Sequence, residues 1–211
     1  EIDDRKANFY GLFIGVENYN DTDTIDPIEN LNWADEDAKE LSKVIEACAQ
    51  NRFKEVYITL LTTETDSLLP TFKNIKEALR DIGLKSKPDD VLMIFFSGHG
   101  DVDEKKTEGE FEFICYGSTK KEYRGINKDI LSSWLSQEGP NKMKFQKHII
   151  IFDACKSGKY LVDNRGDKAL SSRGVEFDNK YRQYIEGLET NTATLILAAG
   201  TEEEKVYEHE D

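Results

Sequence analysis

Two uninterrupted apolar runs constrain this chain more than any other feature. Val91-Leu92-Met93-Ile94-Phe95-Phe96 leads into Ser97-Gly98-His99-Gly100, and Ile149-Ile150-Ile151-Phe152, opened by His148, leads into Asp153-Ala154-Cys155-Lys156-Ser157-Gly158. Neither run alternates apolar with polar, so each reads as a strand buried on both faces. That requires helices on both sides of a mostly parallel sheet. Each strand also delivers one reactive side chain, His99 or Cys155, at its carboxyl end.

The rest of the chain supplies the layers. Phe9 to Val16 reads as a first buried strand, followed by a polar loop over 18–30. Trp33, Ala34, Ala38, Leu41, Val44, Ile45 and Cys48 then fall at helical spacing, with Asp35, Glu36 and Asp37 suited to the positive end of the helix dipole. Val56 to Leu61 predicts a second strand, and Phe72, Ile75, Leu79 and Ile82 a second helix closed by Gly83. After the Val91 strand, Phe111 to Tyr116 suits a hairpin arm. Ile126, Ile130, Leu131, Trp134 and Leu135 predict a third helix ending near Gly139-Pro140, and Ala193 to Ala199 a fifth core strand. Between the cysteine strand and this last one, about 156–192, lies a long loop with a short helix around Tyr181 to Leu188. The fold class expected is therefore α/β, with all 211 residues in one domain.

Composition narrows the function. A net charge of −14 disfavours nucleic acid and anionic lipid and suits cationic partners. Three cysteines without a C-x-x-C and three histidines without paired spacing give neither a disulfide framework nor a zinc site. No apolar run approaches the length needed to cross a bilayer, and a cytoplasmic location is expected. No glycine-rich phosphate loop follows the first strand, so no nucleotide cofactor is expected. Asp101-x-Asp103 and Asp21-x-Asp23 open like calcium loops but lack the later ligands and the glycine. Cys48 and Cys115 are read as structural, and His148 and His209 have no assigned role.

Sites in parallel sheets form at the carboxyl ends of the strands, and His99, Cys155 and Asp37 all follow core strands. A strand-end cysteine alone is more often a packing residue, and a histidine beside glycine a turn residue. Both together, ending consecutive core strands, point to a thiolate nucleophile paired with an imidazole. The glycines beside His99 and the Cys155 N–H suit an oxyanion site.

Phe96-Ser97-Gly98-His99-Gly100, Asp153-Ala154-Cys155-Lys156-Ser157-Gly158 and Leu31-x-x-Ala34-x-x-Asp37-Ala38 resemble the histidine, cysteine and first-helix motifs of the caspase-like cysteine peptidases of clan CD, family C14. The metacaspase and bacterial orthocaspase branch is the nearer one. This resemblance implies a caspase–haemoglobinase fold, a three-layer αβα sandwich with core strand order 2-1-3-4-5. The family's sixth strand is expected to be missing, which makes 1–211 a large-subunit-like catalytic domain. It implies a Cys155–His99 dyad and an oxyanion hole from Gly100 and Cys155. Asp153 and Asp37 would line an acidic pocket for an Arg or Lys side chain, where animal caspases, with Gln in place of Asp153, cleave after Asp. Many metacaspases need calcium; here the acidic cluster after the histidine motif reduces to Asp101, Asp103 and Glu104, so calcium stays open and no other cofactor is expected.

The expected activity is thus a cysteine endopeptidase acting on proteins after Arg or Lys. It would be activated by processing or by a partner, such as a small-subunit-like segment, with Arg165, Lys168 and Arg173 as candidate cleavage sites. The rival is a catalytically silent caspase-like scaffold that binds a basic partner.

Overall fold

The computed structural model describes residues 6–20, 28–64, 68–103, 110–119, 125–136, 143–145, 147–156, 183 and 193–198; for 102, 103, 110, 154–156, 193, 194, 196 and 198 this means the backbone. In chain order the elements are β1 (Phe9–Gly15), α1 (Ala34–Gln50), β2 (Val56–Leu61), α2 (Phe72–Lys85), β3 (Val91–Asp103), β4 (Glu110–Ile114), β5 (Gly125–Asn127), α3 (Lys128–Leu135), β6 (Lys147–Lys156) and β7 (Ala193–Ala198).

The core strands run β2-β1-β3-β6-β7, every neighbouring pair parallel. In terms of the five core strands read from the sequence this is the expected order 2-1-3-4-5. β3 outruns β1: β1 pairs with it from Val91 to Ser97, and beyond that point β4 takes over the vacated edge, antiparallel, from Gly100 to Asp103. β5 extends this arm antiparallel to β4. The predicted hairpin arm therefore forms, built on the far end of the histidine strand.

Strand alternation divides the core cleanly. Tyr10, Leu12 and Ile14 of β1, Leu92, Ile94 and Phe96 of β3, and Ile150 and Phe152 of β6 pack with Ile75, Leu79 and Ile82 of α2 and Leu131 and Leu135 of α3. Phe9, Phe13, Met93, Phe95, Ile149 and Ile151 face the other way, onto Ala38, Leu41, Ile45 and Ala49 of α1. This double-sided burial is the reason the runs carry no polar alternation. Among the described residues the result is an αβα sandwich, with α1 on one face and α2 and α3 on the other.

Five details depart from the sequence reading. The face of α1 that meets the sheet carries Ala34, Asp35, Ala38, Ser42 and Ala49, whereas Trp33, Val44 and Cys48 are exposed. Small residues win that face because the helix lies close to the sheet, and a Cβ on Gly15 would run into the backbone of Ala34 and Asp35. Gly83 does not close α2; it lies inside the helix, where an added Cβ would stand 3.1 Å from Met143 Sδ. Ile126 belongs to β5, and α3 starts two residues later behind Asn127, whose side chain accepts from the Ile130 N–H at 2.9 Å. Lys156 ends β6 and does not open a loop. The third helix, expected to end near Gly139-Pro140, ends at Leu135, where the backbone of Ser136 turns extended. The short helix expected at 181–188 lies outside the described residues apart from Gln183.

Candidate active site

The β3–β6 register brings the two reactive positions together. His99 pairs with Cys155, one step beyond Gly98 with Ala154 and two beyond Ser97 with Asp153. Adjacent strands lie about 4.8 Å apart, so the two backbones are immediate neighbours at the carboxyl edge of the sheet. Cys155 is described by its backbone; His99 is described in full.

His99 is buried, and its surroundings are specific. Nε2 lies 2.9 Å from the carbonyl oxygen of Glu29. A carbonyl only accepts, so Nε2 must carry a proton, and in the neutral ring Nδ1 is then the basic nitrogen. The His99 backbone N–H donates to Tyr19 Oη at 2.6 Å, and the tyrosine ring lies against the imidazole with centroids 5.0 Å apart at 25°. Gly98 permits this approach: with φ at +157°, a Cβ there would sit 3.0 Å from the phenol oxygen. Gly100 has a packing reason as well, because a Cβ would collide with the Phe111 ring.

The loop that supplies Tyr19 and Glu29 is tied at several points. Leu31 N–H donates to Glu17 C=O at 2.9 Å, and Tyr19 N–H to Asn30 Oδ1 at 3.1 Å. Asn18 N–H donates to Thr63 Oγ1 at 3.1 Å. Thr63 in turn gives its N–H and its hydroxyl to Asp35 Oδ2, at 3.0 and 2.5 Å. Burial pushes the Asp35 carboxyl above the usual carboxylate range, against the pull of the two Thr63 bonds. One buried aspartate thus links the start of α1, the end of β2 and the loop that embraces His99.

Asp153 follows Ile149 and Ile151 in alternation and so stands on the α1 face of β6. Burial raises its carboxyl above the usual range. Asp37 is exposed in the first turn of α1, its N–H donating to Trp33 C=O at 2.8 Å. The two carboxylates therefore occupy one end and one face of the sheet. Cys115 is buried, and burial pushes its thiol far up, which suits packing rather than chemistry. Among the described residues no group of three or more His, Cys, Asp or Glu is arranged to hold a metal ion. Glu104, His209, Arg165, Lys168 and Arg173 lie outside the described residues.

Sequence reasoning placed His99 and Cys155 at the ends of neighbouring core strands, as the register has them, but did not name Glu29 and Tyr19, which bond to His99, or the Asp35–Thr63 link behind their loop. Glu29 acts through its backbone, which no side-chain motif reveals. Tyr19 did leave a signal, as the single aromatic residue of a loop rich in Asp, Asn and Thr.

Residues 10–163 match the family described as metacaspase, peptidase C14 domain. The chain belongs to this metacaspase peptidase family. Its members are cysteine peptidases, so protein substrates follow for the family. No curated protein matches the chain. Among solved structures, a structural-genomics protein of Geobacter sulfurreducens is similar at 16% identity and a TM-score of 0.48 over 88% of this chain. The metacaspase chain spans 66% of the length of that structure. No helix among the described residues is long and apolar enough to cross a membrane.

Proposed function

We propose that the chain is a cysteine endopeptidase that cleaves proteins after Arg or Lys, with Cys155 as nucleophile and His99 as acid–base partner. The observation that carries this reading is the register of His99 against Cys155, combined with a carbonyl that holds Nε2 protonated. His99 Nδ1 takes the thiol proton as sulfur attacks the scissile carbonyl carbon. The backbone N–H groups of Gly100 and Cys155 receive the developing oxyanion. His99 then returns the proton to the leaving amine, and the thioester remains. A water molecule, deprotonated by the same nitrogen, attacks the thioester, releases the new carboxyl end and restores the thiol.

Asp37 and Asp153 form the pocket for the basic side chain. A half-buried carboxylate with a raised pKa gains most from a cation, since the pairing offsets the desolvation that raised it. Arg is preferred to Lys because its planar fork can bond two oxygens at once. An Asp side chain in the same place would put like charges together at a cost of several kcal/mol.

A fluorogenic peptide ending in Arg decides the matter. Turnover that disappears in Cys155→Ala and in His99→Ala, with Asp-ending peptides untouched, supports the reading. Absence of turnover with and without calcium, or equal cleavage after Asp, overturns it. Asp153→Ala should lower kcat/KM for Arg peptides by about 10–100-fold.

A further inference from the structure

β1 leaves the sheet before β3 ends, and this exposes a backbone donor beside the site. Val16 N–H donates to Ser97 C=O at 2.9 Å, the last bond from the β1 side. Along a strand, alternate residues turn their polar groups to the same edge, so the His99 N–H points where β1 would have continued. A buried N–H needs an acceptor. Here the acceptor is a side chain: Tyr19 Oη, 2.6 Å away.

Tyr19 is fully buried, and it touches His99 twice. The phenol oxygen holds the backbone, and the ring lies against the imidazole at 5.0 Å. Its own backbone is held by Asn30, one residue from the Glu29 carbonyl that accepts the hydrogen bond of Nε2–H. Backbone, ring plane and tautomer of His99 are thereby fixed from one short loop.

We propose that Tyr19 is a positioning residue for His99, with its hydroxyl standing in for the departed strand and its ring setting the plane of the imidazole. The assignment deepens the peptidase reading and rests on it for its kinetic consequence, though not for its structural one. Gly98 belongs to the same device, because any side chain there would press on the phenol oxygen. The hydroxyl holds the His99 backbone, the ring orients the imidazole, and neither takes a proton in the reaction, so their loss should act on kcat and leave KM nearly unchanged.

Two variants separate its parts. Tyr19→Phe keeps the ring and removes the acceptor; Tyr19→Leu removes both. The measurements are kcat and KM on an Arg peptide, the alkylation rate of Cys155 relative to exposed Cys48 by peptide mass spectrometry, and the imidazole 15N spectrum of His99. Expected are a loss of kcat of about tenfold in Tyr19→Phe and about a hundredfold in Tyr19→Leu, with KM within about twofold. The His99 ring should show one Nε2–H tautomer in the wild type and an averaged pair in Tyr19→Leu. A Tyr19→Leu protein with a lower Tm but wild-type kcat and ring spectrum would make the residue purely structural and overturn the proposal. If the wild type turns over no peptide and its Cys155 alkylates no faster than Cys48, the peptidase reading fails, and the ring spectra still decide the role of Tyr19.

Discussion

His148, the second residue of β6, is buried, with the Phe145 ring 6.1 Å away edge to face. Burial pushes its pKa down from 6.5 to about 4. Between those values the unfolded chain binds the proton and the folded one does not. Stability from this group is therefore complete above pH 6.5 and is lost as the pH falls towards about 4. The full window is worth roughly 3 kcal/mol. Urea midpoints from pH 7 to pH 4 should fall steeply in the wild type and less steeply in His148→Leu, which cannot take up the proton; parallel slopes in the two proteins would refute the assignment. Asp35 is the second residue with a large individual effect. Asp35→Ala leaves two Thr63 donors without their acceptor, at a cost of about 1–3 kcal/mol. Because Thr63 is the partner, Asp35→Ala and Thr63→Val should be strongly non-additive in a double-mutant cycle.

At the level of elements, the packing of α1 on β1 is the tightest constraint near the site. A Cβ on Gly15 would meet main-chain atoms of Ala34 and Asp35, which no rotamer change can relieve. Gly15→Ala should thus cost about 1–3 kcal/mol and lower peptidase activity with it, since α1 carries Asp37 and starts at this contact. By contrast, Thr71→Ala removes an N-cap on α2, whose side chain accepts from Asn74 N–H at 3.1 Å, and should cost about 1 kcal/mol with activity unchanged. Denaturant midpoints beside Arg-peptide rates check both. The same elements show what the sequence made legible. Apolar runs made the five core strands legible, and double-sided burial holds for the inner strands β1 and β3, whereas the edge strands β2 and β7 leave Tyr57, Leu195 and Leu197 exposed. Helix α1 was legible as a helix and its buried face in part: Ala34, Ala38, Leu41 and Ile45 of the hydropathy stripe meet the sheet side, whereas Trp33, Val44 and Cys48 are exposed and Asp35, Ser42 and Ala49, outside the stripe, are buried. Gly83 looked like a helix end because glycine usually is one, while its true reason, the Met143 side chain, lies sixty residues on in the chain. His99 and Cys155 were legible as side chains at strand ends. Glu29 and the ladder gap filled by Tyr19 depend on where backbone groups meet, and composition carries no trace of that.

At the scale of the whole molecule, the acidic pocket proposed at Asp37 and Asp153 has a candidate substrate in the same chain, in the basic residues of the stretch that follows the proposed nucleophile Cys155. β6 ends at Lys156, one residue past Cys155 and across from Gly100. We propose that cleavage in this stretch accompanies activation. Arg165, Lys168 and Arg173 differ in how easily they return to Cys155. A substrate strand must lie extended across the cleft for several residues, at about 3.3 Å per residue, and the intervening chain must double back over a similar distance. Ten residues to Arg165 leave little slack for that, whereas eighteen to Arg173 leave enough, and Ser171-Ser172-Arg173-Gly174 offers small neighbours on both sides. Intramolecular cleavage should therefore fall first after Arg173, at a rate independent of protein concentration. Intact mass spectrometry of the wild type, Cys155→Ala and Arg173→Gln, each over a tenfold dilution series, tests this. A fragment ending at Arg173 in the wild type alone is the expected result. The same fragments in Cys155→Ala would assign the cut to another protease, and a rate that falls in proportion to dilution would mean that one molecule processes another.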